Sequence, residues 1–158
     1  MKTFLTILFL FTASIANADD ISTLRDFTAA LQSKDYSTAK QYVSTNSEQL
    51  FDRYSQYDLG DMTPSYGRLI SQSQNSNYRY LKVAAPTNPG QPVRATNVAF
   101  ITENNNPKID LPETLRLGFG PNWEQRINMI EQSYIFTKQQ FGEEQSRQVL
   151  NTLVQKGK

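Results

Sequence analysis

Residues 71–84 read Ser71-Gln72-Ser73-Gln74-Asn75-Ser76-Asn77-Tyr78-Arg79-Tyr80-Leu81-Lys82-Val83-Ala84, and the chain changes character inside them. Upstream, apolar residues recur at helical spacing. Near Ser71 that spacing stops, and Asn75-Ser76-Asn77 follows, whose side chains favour a turn. Tyr78 to Ala84 is rich in aromatic and branched residues and reads as a strand. Helices first and a hairpin-rich sheet afterwards is the order of an α+β fold. The expected architecture is N-terminal helices packed on a curved, mostly antiparallel sheet, with a C-terminal helix.

Four helices are expected before this point. Leu24, Phe27 and Leu31 mark the first, with Thr23 and Asp26 as a capping box. Ser33-Lys34-Asp35 breaks it, and Asp35 can cap a short second helix carrying Ala39, Tyr42 and Val43. Asn46 or Ser47 starts a third, with Leu50, Phe51, Tyr54 and Tyr57 in periodic positions and Gly60 at its end. Thr63-Pro64 opens a fourth, bearing Tyr66, Leu69 and Ile70.

Beyond Ala84, the three prolines at 86, 89 and 92 make a loop, because proline cannot donate to a sheet ladder. Val93 to Ile101 reads as a second strand and Asn104 to Pro107 as a turn. Ile109 and Leu111 begin a strand that Pro112 interrupts and Thr114 to Phe119 resumes. Gly120-Pro121-Asn122 signals a hairpin, after which Trp123, Ile127 and Met129 alternate with Glu124, Arg126 and Asn128. The same stretch also fits a helix through Trp123, Ile127, Ile130 and Tyr134. The strand is the preferred of the two readings. Thr137 with Gln140 caps a final helix carrying Phe141, Val149, Leu150, Leu153 and Val154, with Gly142 inside it.

The N-terminus has the form of a secretory leader. Met1-Lys2 is basic, Phe4 to Phe11 is apolar apart from Thr6, and Ala16-Asn17-Ala18 places small residues where a signal peptidase reads. The apolar run is too short to cross roughly 30 Å of bilayer core as a helix. Cleavage is expected between Ala18 and Asp19, giving a periplasmic or extracellular protein of one domain, residues 19–158, with no integral membrane association. Losing Lys2 from the 16 basic residues balances the rest against 15 acidic ones. A neutral, unclustered balance argues against nucleic acid as a partner.

The chain has no Cys and no His. Thiol nucleophiles, zinc–thiolate sites, imidazole acid/base chemistry and the Ser-His-Asp triad are thereby excluded. No cofactor is expected, and any catalysis would rest on carboxylates, Tyr, Lys or Arg.

Phe27-Thr28-Ala29-Ala30-Leu31-Gln32-Ser33-Lys34-Asp35-Tyr36, with Ala39 and Tyr42, resembles the opening of nuclear-transport-factor-2-like (SnoaL-like) domains. Leu115 to Phe119, the Gly120-Pro121-Asn122 turn and Trp123 to Ile127 resemble that family's last two strands. The resemblance spans roughly residues 24–43 and 93–130. It implies a curved sheet wrapping the helices into a cone with an open pocket, a fold that hosts enzymes, carriers and dimerising adaptors alike.

Two groups of residues could carry function. Glu103, Asp110 and Glu113 lie close in sequence, and two carboxylates across a cleft could hydrolyse a glycosidic bond of the cell wall. The plainer reading is three solvated acids. Tyr54, Tyr57, Tyr66, Tyr78 and Tyr80 fall close together, and tyrosine joins an apolar body to a polar tip. The plainer reading of these is core packing. Tyr78, Tyr80 and Lys82 share one strand face, and a face carrying lysine is not fully buried. These three, with Arg79 at a polar rim, are the candidate binding residues. The expected function is a non-catalytic binding domain with a protein partner, of the kind an immunity or inhibitor protein uses against a secreted toxin or wall hydrolase. Self-association is left open. The alternatives are a carboxylate-based glycan hydrolase and a small-ligand carrier with an apolar pocket.

Overall fold

The computed structural model of the chain describes residues 18–55, 66–84 and 95–156. Helix α1 covers residues 18–32, α2 Tyr36–Lys40 and α3 Glu48–Ser55, with a 3-10 turn over Thr45–Ser47 leading into α3. Strands β1 (Arg68–Gln74), β2 (Arg79–Ala84), β3 (Ala95–Glu103) and β4 (Asn106–Asp110) follow, then helices α4 (Leu111–Phe119), α5 (Trp123–Phe141) and α6 (Glu143–Lys156). The strands form one antiparallel sheet in the order β1-β2-β3-β4. The fold is α+β, with helices before a curved antiparallel sheet and a helix at its C-terminal end. The expected leader through Asn17, Tyr57, Gly60, Thr63-Pro64 and the proline-rich stretch lie outside the described residues. No described helix is long and apolar enough to cross a membrane.

Side-chain alternation along the sheet sets up the main core. Leu81 and Val83 of β2, Val98 and Phe100 of β3 and Ile109 of β4 all point inward and are buried. They meet Leu24 and Phe27 of α1, Ala39 of α2 and Phe51 of α3. Burying each such side chain is worth roughly 1.5–3 kcal/mol. A second core forms where Tyr54 of α3, Leu115 and Phe119 of α4, Ile127, Ile130 and Tyr134 of α5 and Leu150 of α6 converge.

Local signals behave as their chemistry dictates. Asp35 caps α2, accepting from the Thr38 amide at 3.0 Å and its hydroxyl at 2.7 Å. Those bonds hold its carboxyl below the ordinary range. Asn75 Oδ1 accepts from the amides of Asn77 and Tyr78 and folds β1 back on β2. Asn104 and Asn105 both adopt positive φ, 52° and 62°, which suits the tight turn joining β3 to β4. Two serines brace the end of β4. Ser44 and Ser47 hydroxyls lie 2.6 Å apart, Ser47 Oγ accepts from the Leu111 amide at 2.8 Å, and both residues are fully buried.

Five expectations are corrected. First, residue 18 is already helical, so Thr23 lies buried inside α1 and does not cap it. Second, the stretch bearing Leu69 and Ile70 is strand β1, not a helix. Leu69 pairs with Val83, while Ile70 sits at a register shift and is 44% exposed, so no helical apolar face exists there.

Third, residues 114–119 are not a resumed strand. Asp110 accepts from the Glu113 amide at 2.9 Å and Pro112 stands in the first turn, so the chain enters α4. Leu111, Leu115 and Phe119 then share the helical spacing that buries them. Fourth, Gly120 is the C-cap of α4 (φ +84°) and not a hairpin turn, and Trp123 begins a helix. The helical alternative through Ile127, Ile130 and Tyr134 is the one adopted. The residues from Leu115 to Ile127 that resemble two strands of a nuclear-transport-factor-2-like domain therefore form two helices. Fifth, Thr137 lies inside α5, whose end is Gly142 at φ +88°, and α6 starts after that glycine.

Candidate protein-docking face

Alternation on β2 places Tyr78, Tyr80 and Lys82 on the face of the sheet opposite the main core. Lys82 is exposed, and the two tyrosines are half-buried with ring centroids 6.0 Å apart. Across the ladder, Ser71 opposes Lys82 and Ser73 opposes Tyr80 on β1, while Ala99 on β3 opposes Tyr80. The two serines are small and exposed and leave the β1 side of the tyrosines open, while on the β3 side Ala99 is buried.

Helix α4 fixes one end of this face. Thr114 Oγ1 accepts from the Ala99 amide at 3.0 Å, so a helical side chain bonds the β3 backbone. Glu113, in the first turn, accepts from the Tyr80 hydroxyl at 3.2 Å and is gripped by Arg116 through two bonds of 2.6 and 2.7 Å. The Asn75 side-chain amide donates to the same Tyr80 oxygen at 2.9 Å. Arg116 beside it holds the Glu113 carboxyl below its usual range. Burial raises both tyrosine hydroxyls, with Asp110 and Glu113 adding to the effect at Tyr78 and Glu113 at Tyr80. Both stay neutral and can donate hydrogen bonds.

Arg79 does not join them. It points to the core side of β2, where its Nε and Nη2 bond the two carboxylate oxygens of Asp20, each at 2.8 Å. Its Nη1 also donates to Thr102 Oγ1 at 2.7 Å. The Asp20 side chain is fully buried and that of Arg79 is 21% exposed. Burial raises the Asp20 carboxyl despite its partner. The pair anchors the start of α1 to β2 and β3. Sequence parity alone places Arg79 opposite Tyr78 and Tyr80, but its partner, 59 residues away, carries no local signal.

The three acids each have separate work. Glu103 accepts from the Thr45 amide and hydroxyl at 3.0–3.1 Å. Asp110 caps α4 and accepts from Ser44 Oγ at 3.3 Å. Glu113 is committed to Arg116 and Tyr80. Among the described residues no cluster of three or more Asp, Glu, His or Cys could hold a metal ion.

Arg116 and Asn75 complete the tyrosine face and have no role in a strand-only reading of the sequence. The i,i+3 spacing of Glu113 and Arg116 is the one local sign of their pairing. Comparison with known proteins adds no relative: no family model matches the chain, and no curated protein or solved structure does either.

Proposed function

We propose that this chain is an exported, non-catalytic binding domain that presents Tyr78, Tyr80 and Lys82 to a protein partner. The observation that carries the reading is the hydroxyl of Tyr80, held between Asn75 and Glu113 so that its ring stands beside Tyr78 on the outer sheet face. Aromatic side chains already fixed before binding lose little entropy on association, and interfaces favour them. Lys82, and Arg68 nearby on β1, are exposed and form no ion pair among the described residues. They suit a partner with acidic groups around an apolar centre. Export follows from the apolar leader and the small residues before Asp19.

The binding reading is favoured over glycan hydrolysis by the engagement of Glu103, Asp110 and Glu113 in separate hydrogen bonds. An inhibitor or immunity role is the version of the binding function that suits a small exported domain.

Tyrosine nitration tests the proposal. The free protein should be modified at Tyr78 and Tyr80, and the protein held in its complex from the exported fraction should be protected at both. Equal nitration of these tyrosines in the free and bound protein would overturn it.

A further inference from the structure

A second site shares no residue with the tyrosine face. An open groove of about 610 Å³ lies between α3 and the start of α5, within the roughly 300–1,000 Å³ typical of ligand sites. Leu50, Pro112 and Trp123 form its apolar part. Leu50 and Trp123 also pack on the second core, so the half-buried indole is held by the protein and still borders the groove. Asn46, Gln49 and Glu124 are exposed and supply the polar part. Among the described residues, their side chains and the indole N–H have no hydrogen-bond partner.

The remaining lining residues are charged but already engaged. Asp52 accepts from Lys40 Nζ at 2.7 Å. Arg53 bonds Asn128 Oδ1 at 2.7 Å and Glu131 Oε1 at 2.8 Å. An anionic ligand would therefore meet no unpaired cation. A cationic ligand would meet one exposed carboxylate, Glu124, and a lone indole in place of an aromatic cage, and would leave the Asn46 and Gln49 carboxamide N–H groups without an acceptor. A wholly apolar ligand would cover amide and carboxylate groups without bonding them, which is costly.

A sugar satisfies every part of the groove. Its C–H face can stack on the indole, while its hydroxyls both donate and accept at Asn46 and Gln49 and donate to Glu124. We infer that this groove binds a neutral oligosaccharide. Being open to solvent, it can admit a chain longer than one ring.

Trp123 is the chain's single tryptophan, so fluorescence excited selectively at tryptophan reports on this one side chain at the groove. The full chain is titrated separately with chitotriose, cellotriose and maltotriose at up to millimolar concentration. At least one should shift the emission saturably. The double variant Asn46→Ala/Gln49→Ala should weaken that sugar by about tenfold or more with its circular dichroism unchanged. Glu124→Gln, a single exposed change, should also weaken it and serves if the double variant misfolds. No response to any of the three sugars would overturn the inference. So would unchanged affinity in the folded variants, or a saturable response to short neutral peptides alone. Loss of the tyrosine face through changes at Tyr78 and Tyr80 should leave this titration untouched, so the two sites fail or stand separately.

Discussion

Tyr80 donates its hydroxyl to Glu113 Oε1 at 3.2 Å, and that bond ties an inner strand of the sheet to the first turn of α4. Glu113 cannot swing away, because Arg116 holds both of its oxygens. The Tyr80 ring is therefore positioned by a chain of three side chains before any partner arrives.

That chain has a pH dependence with a definite sign. The folded carboxyl of Glu113 lies below its unfolded value because Arg116 favours the charged form. Its contribution to stability is present above the unfolded pKa and is lost as pH falls through the folded one. Urea unfolding of the native protein and Glu113→Gln should differ most at neutral pH and converge in acid. A difference that stays constant as the pH is lowered contradicts this account of Glu113.

The Asp20–Arg79 pair makes a stronger demand on stability. Removing one member of a buried pair strands the other charge, and the exposed fraction of Arg79 moderates the penalty. Asp20→Ala should cost about 3 kcal/mol in chemical denaturation. A change within experimental error would show that α1 is not held to the sheet through this contact.

Tyr54 invites a change in the opposite direction. It is only 4% exposed within the second core, and its hydroxyl has no hydrogen-bond partner among the described residues. Burial pushes its pKa far up. Tyr54→Phe keeps the ring and removes the stranded hydroxyl, so the protein should gain about 1 kcal/mol. A loss of stability in the same unfolding measurement would reveal a bond that the hydroxyl makes.

The elements that could be read from sequence are those whose local chemistry and burial agree. Leu81 and Val83 alternate with Tyr80 and Lys82, so β2 and its two faces were legible. Asp35 was legible as a cap because its bonds to Thr38 are local. β1 was not legible, since Arg68 to Gln74 is exposed along almost its whole length and carries little apolar alternation. Its register comes from β2 and from the turn at Asn75. In α4, Leu115, Leu117 and Phe119 alternate like a strand, while Leu111, Leu115 and Phe119 recur like a helix. Asp110 and Pro112 at the helix start decide between these patterns. Of the candidate docking face, the tyrosines could be found by alternation. Their link to Glu113 arises only when α4 meets the sheet.

The outer face of β2 is the proposed protein-binding surface. The most direct measurement is partner affinity for the Tyr78→Ala/Tyr80→Ala double variant, using the complex recovered from the exported fraction and far-UV circular dichroism as a check on folding. The variant should stay folded with its binding weakened by at least about 2 kcal/mol, the loss expected at an interface hot spot. A folded variant that binds as tightly as the native protein, or one that unfolds because these rings belong to the core, would contradict the proposal.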